Sequence, residues 1–126
     1  MKMLLAVAAG GALGAMGRYL VMIQVGHLLG TAFPFATLAV NVTGSFILGA
    51  LVEVLALAWS PPAELRALLV VGVLGAFTTF STFSMDVVLH VERGELALTL
   101  AYIVASVVLS IAGLFAGLHL VRAVLA

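Results

Sequence analysis

The sequence predicts an all-α integral membrane fold of four transmembrane helices, and three observations carry that prediction. Hydrophobic residues make up 65% of the 126 positions and charged residues only 8%, too little polar surface for a soluble domain of this size. Four apolar stretches, Met3 to Gln24, Phe33 to Trp59, Arg66 to His90 and Leu96 to Val124, each reach the roughly 20 residues that a helix needs to cross a bilayer core. The turns between them are short: Val25 to Ala32 with two glycines, Ser60 to Leu65 opening on Ser60-Pro61-Pro62, and Val91 to Glu95 around Arg93-Gly94. Residues 1–126 therefore read as one four-helix transmembrane domain, with membrane lipid around it and its chemistry inside the bilayer or at its mouths.

Composition also excludes function classes. No cysteine is present, which removes disulfides, thiolate metal sites and thiol catalysis. Five basic and five acidic residues cancel and form no basic run, so nucleic-acid binding has no support. No HExxH, GxSxG or P-loop occurs, and no enzyme is expected. Lys2 and the apolar run after it resemble a signal peptide, but that run outlasts a short h-region and reads as the first helix.

In the first span Gly10 and Gly14 form a small-xxx-small pair that Gly17 extends. Such a groove lets another helix approach closely, whereas a dinucleotide loop would need a preceding strand. Arg18 lies about four turns in, near the same end of the bundle as Asp86 of the third span. The two read as a structural ion pair, or Arg18 reaches to the interface, and Arg18 at a pore mouth would concentrate anions there.

The second span carries Thr37, Asn41 and Ser45 at i, i+4 and i+8, and the fourth carries Tyr102, Ser106 and Ser110 at the same spacing, so each set forms one stripe. A rise of 1.5 Å per residue puts Asn41 roughly 12 Å deep, Phe83 and Tyr102 about 10 Å, and Phe80 and Ser106 about 15 Å. Singly, these hydroxyls are interhelical glue worth about 0.6 kcal/mol per contact. Aligned at one depth, they read as a polar track.

The third span is a poor helix interior. Gly72 to Ser84 places glycine, β-branched and hydroxyl residues, including Ser81 and Thr82, where a helix favours Leu and Ala. A break there would free backbone carbonyls, tolerable in lipid only where they line a cavity or bind an ion. No carboxylate lies near Gly75 or Thr78, so a cation would be held by carbonyl oxygens, the ligands of a hard ion such as sodium. Phe80 and Phe83 share a face, and their ring edges carry positive potential that can touch an anion. The Asn41 amide and the hydroxyls can donate to the same anion without a full positive charge.

The remaining charged and aromatic groups lie towards span ends. Glu53 is level with Arg66 and Arg122 and reads as a snorkelling or paired carboxylate; His27, His90 and His119, with Tyr19 and Trp59, read as interfacial. Lys2, Arg66 and Arg122 on one side face Arg18 and Arg93 on the other. So weak a bias predicts insertion both ways up and pairing of opposite orientations.

Three motifs resemble the small bacterial fluoride channels of the Fluc or CrcB family: Gly10 to Tyr19, Thr37 to Phe46, and Gly72 to Phe83 with Thr78-Thr79-Phe80-Ser81-Thr82-Phe83. The resemblance implies a dual-topology antiparallel homodimer in the bacterial inner membrane, with two pores that passively export fluoride. It implies that Asn41, Phe80 and Phe83 meet the ion, that Thr37, Tyr102 and Ser106 belong to the polar track, and that the Gly75 and Thr78 carbonyls of both subunits hold a structural sodium ion. Ala36 and Ala76 stand where the family often has glycine. A small multidrug-type proton-coupled exporter is the alternative, but it needs a carboxylate in the first helix, which has none.

Overall fold

The computed structural model describes residues 1–126. It is all-helical, with four stretches long and apolar enough to cross a membrane: Lys2–Leu29, Phe35–Leu57, Ala63–Glu92 and Leu96–Leu125. The first is helix α1, Lys2–Leu29, which runs past the expected end at Gln24 because Leu28 and Leu29 continue the apolar run. Gly30 stops it at φ 77°, a conformation that only glycine adopts without strain. Helix α2, Phe35–Leu57, starts directly after Pro34, which supplies a fixed φ and lacks the N–H that a helix start would leave unpaired.

The third stretch is composite. Helix α3, Ala63–Ala67, follows the Pro61-Pro62 pair and leads into a π-helix, π1, Leu68–Leu74. A single turn of helix α4, Gly75–Phe77, comes next. Thr78 (φ −83°, ψ 156°) and Thr79 (φ −151°, ψ 119°) are extended, about halfway along the stretch, and helix α5 then runs over Phe80–Glu92. The π-helix was not foreseen. Each residue turns a helix by about 100°, so the residue that a π turn adds changes which side chains share a face.

A turn at Gly94 (φ 75°) leads to helix α6, Leu96–Leu125. His90 reaches across this turn, Nδ1 to the Glu95 carboxylate at 3.1 Å. It lies in the last turn of α5 and its side chain is buried.

Small residues decide the packing. A Cβ at Gly10 would collide with the Leu68 carbonyl, one at Gly14 with the Val73 carbonyl, and one at Gly72 with the Gly10 backbone. The groove of α1 thus receives the backbone of π1. Gly49 and Gly117 bring α2 and α6 together in the same way, against the carbonyls of Leu114 and Phe46. Backbones this close gain dispersion contacts along their length, the main source of cohesion where lipid is as apolar as the side chains. Val40 and Tyr102 are fully buried at the centre, while most leucines face outward. The Glu53 carboxylate, buried on α2, accepts from Arg122 Nε of α6 at 2.9 Å, the pairing expected for it.

Candidate functional site

The site is organised by the two extended threonines. In a continuous helix the Thr79 amide would donate to the Gly75 carbonyl, and Thr82 to Thr78. Instead Thr79 N–H donates to Asn41 Oδ1 at 2.7 Å, and Asn41 Nδ2 donates back to the Thr79 carbonyl at 3.0 Å. The Thr82 amide donates to Thr79 Oγ1 at 3.2 Å, which caps α5. One asparagine of α2 and one threonine hydroxyl thereby satisfy amides and a carbonyl that the interruption would otherwise strand in an apolar medium.

Several carbonyls at the interruption lose their helical partners. Those of Gly75 and Thr78 each lose the expected amide, because Thr79 turns to Asn41 and Thr82 turns to Thr79 Oγ1. Leu74 is oversupplied, accepting both the amide and the hydroxyl of Thr78 at 3.1 and 3.0 Å. Arg18 Nε donates to the Ala76 carbonyl at 3.0 Å, so a cation sits against the last turn of α4, where a helix dipole favours it. The ion pair expected between Arg18 and Asp86 is not formed. The carbonyl of Ala76 is near enough for the arginine to cap, and Asp86 is engaged elsewhere.

Beside the interruption lies a cavity of about 340 Å³, walled by α2, π1, α5 and α6. Asn41, Phe80, Phe83 and Ser106 meet there, as expected of a shared depth, together with Ser45, Thr78, Thr79 and Ser110. The Phe80 and Phe83 rings stand 5.3 Å apart at 49°. Phe80 is 76% exposed in the single chain and Phe83 is buried. The Ser106 hydroxyl is buried, without a close hydrogen bond, and lies beside the Tyr102 hydroxyl. The second Nδ2 hydrogen of Asn41 is also uncommitted, since the Thr79 carbonyl uses one of the two.

Thr37 and Tyr102 converge on Asp86. Both are buried, and both hydroxyls donate to Asp86 Oδ2, at 2.7 and 2.9 Å. Sequence reasoning missed this role for Asp86, although a hydroxyl stripe on each neighbouring helix at the depth of a lone carboxylate was the available signal. The Tyr102 ring packs 5.1 Å from Phe83 and edge-on to Phe33 at 5.7 Å. Phe33, Thr37, Asp86 and Arg18 line a second cavity of about 510 Å³ at the outer end of the bundle. An aromatic row thus links the two cavities. Ser81 is exposed and Thr82 half-buried, and neither lines these two cavities; the Ser81 hydroxyl lies 3.3 Å from Thr79 Oγ1, to which the Thr82 amide donates.

Residues 5–118 match the family described as CrcB-like protein, Camphor Resistance (CrcB). The chain belongs to the CrcB-like family. It is 60% identical over 126 residues, the full length of both chains, to a protein of Rhodospirillum centenum named fluoride-specific ion channel FluC. It is 52% identical over 121 residues to one of the same name from Nitrobacter winogradskyi, covering 96% of each chain. A third relative, fluoride-specific ion channel FluC 1 of Nitrobacter hamburgensis, is 51% identical over 119 residues and 94% of each. The CrcB-like chain thus shares its whole length with channels of that name, and its interruption, glycine grooves and cavity are formed by residues inside the matched region.

Proposed function

We propose that this chain is a fluoride-selective ion channel of the bacterial inner membrane, passively lowering cytoplasmic fluoride. The observation that carries this reading is the cavity beside the interruption, where Asn41 and the Phe80 and Phe83 rings meet the hydroxyl residues Ser45, Ser106 and Ser110. Hydroxyl, amide and ring edge each present positive potential to a small anion, and none holds it as tightly as a full charge would. The names of its full-length relatives agree. Arg18 and the outer cavity collect anions, and the aromatic row joins that cavity to the inner one.

The broken third helix crosses at mid-membrane and separates two functions in this reading. On one side, the Gly75 and Thr78 carbonyls, freed of their helical amides, fit a structural sodium ion, whose bound charge would fix the interruption. Two carbonyls cannot replace a hard cation's hydration shell. A second copy in antiparallel orientation supplies the matching pair, and also covers Phe80, whose ring is otherwise exposed. On the other side, Asn41, Phe80, Phe83 and Ser106 form the fluoride pathway.

The proton-coupled exporter reading is weaker. α1 holds no acid, Glu53 is tied to Arg122, and Asp86, though it lines the second cavity, is already held by two hydroxyl donors. Purified protein in liposomes loaded with fluoride should give fast electrogenic efflux, with little efflux from matched chloride-loaded vesicles. Absence of fluoride flux, or equal chloride flux, would remove the channel reading.

A further inference from the structure

At the end of the bundle that holds both chain termini, α1, α2, α3 and π1 leave an apolar crevice of about 550 Å³. Met3, Val52, Leu55, Ala67 and Val71 form much of its wall, and Arg66 is its one charged residue. The ion pairs of the chain are His90–Glu95 and Glu53–Arg122, so Arg66 has no carboxylate partner. Trp59, 40% exposed just beyond α2, marks the headgroup level at this end, and Lys2 adds a second cation beside Met3. From Ala63 to Val71 the crevice runs about 12 Å along the helix axis, against a leaflet of roughly 15 Å, half the bilayer core.

We infer that this crevice is a site for an anionic phospholipid, one acyl chain in the apolar groove and the phosphate on Arg66. The chemistry is complementary at both ends. An unpaired guanidinium at headgroup level takes phosphate oxygens two at a time, and a groove whose other eight lining residues are hydrophobic takes hydrocarbon. Net negative headgroups are preferred over zwitterionic ones because no carboxylate pairs with Arg66, and the nearby charges of Glu64 and Lys2 offset each other. The site lies at the opposite end from the Arg18 and Asp86 cavity and stands whether or not the chain conducts fluoride.

Native mass spectrometry of the full-length protein, titrated with phosphatidylglycerol or phosphatidylcholine of identical chains, tests it. Wild type should retain phosphatidylglycerol about fivefold better, the scale of one basic residue near a charged surface. Arg66→Gln should bring the two lipids to near parity, while Arg66→Lys keeps most of the preference. Ala67→Phe, which fills the groove, should lower retention of both lipids. Equal retention by wild type, or an undiminished preference in Arg66→Gln, would overturn the site. So would an Ala67→Phe chain with unchanged lipid retention but altered oligomeric state, which would give the crevice to a second copy.

Discussion

Asn41 of α2 holds the backbone of Thr79 by both of its polar atoms, accepting from the amide at 2.7 Å and donating to the carbonyl at 3.0 Å. The side chain replaces helical hydrogen bonds that the interruption removes. It therefore holds the junction of α4 and α5 in a defined geometry, with one amide N–H left over in a residue that lines the cavity.

Asn41→Ala should lower stability by about 1–3 kcal/mol, the cost of one buried backbone group left without its partner, and should also reduce fluoride flux. Asn41→Asp and Asn41→Ser both lose the donor to the Thr79 carbonyl, but the aspartate adds a negative charge beside an anion path. Its flux should be the lower of the two in a liposome efflux assay; equal rates would contradict an anion route at this position.

Phe80 and Phe83 separate pathway from packing. Phe80 is 76% exposed in the single chain and Phe83 is buried. Phe83→Ile should cost about 1–2 kcal/mol through lost packing against Tyr102, whereas Phe80→Ile should leave the packing within one chain little changed. Both should reduce fluoride throughput. Wild-type flux in both variants would return the rings to a packing role.

Gly44 gives the interruption its room, because a Cβ there would collide with Thr78 Cγ2 and press on the Phe77 ring. Gly44→Ala should destabilise by about 1–3 kcal/mol, as overpacking does. Gly26 faces open space in α1, and Gly26→Ala should be neutral or stabilising by up to about 1 kcal/mol. Thermal unfolding in detergent compares them, and equal midpoints for the two variants would contradict the close approach of α2 to Thr78.

Glu53 and Arg122 form an asymmetric pair, the carboxylate buried and the guanidinium half exposed. Arg122→Gln should lower the thermal midpoint more than Glu53→Gln, because it strands a buried charge while the other leaves a cation that water can hydrate. The double variant should recover part of the loss, since coupled partners are not additive. A double variant as unstable as the sum of the two would show that they act independently.

The sequence made the depth of the site legible but not its partnerships. Counting rise per residue brought Asn41, Phe80, Phe83 and Ser106 to one level, and they share a cavity. The same counting assigned Thr37 and Tyr102 to the track, but it did not disclose that both hydroxyls donate to Asp86. Depth follows from position along a helix, whereas the direction of a side chain depends on how neighbouring helices rotate about their axes. For the same reason Arg18 was matched to Asp86 by level, when its guanidinium reaches the Ala76 carbonyl.

By itself the sequence determined the four apolar stretches, the small-residue grooves and a third span ill-suited to a continuous helix, since hydropathy, side-chain size and helix propensity are properties of residues and their spacing. Tertiary structure alone decided that π1 seats against Gly10 and Gly14, that Asn41 closes on Thr79, and that the Gly75 and Thr78 carbonyls are left free. Each depends on which backbone atoms come within hydrogen-bond reach across helices distant in sequence. The packing of glycine against carbonyl sets that reach.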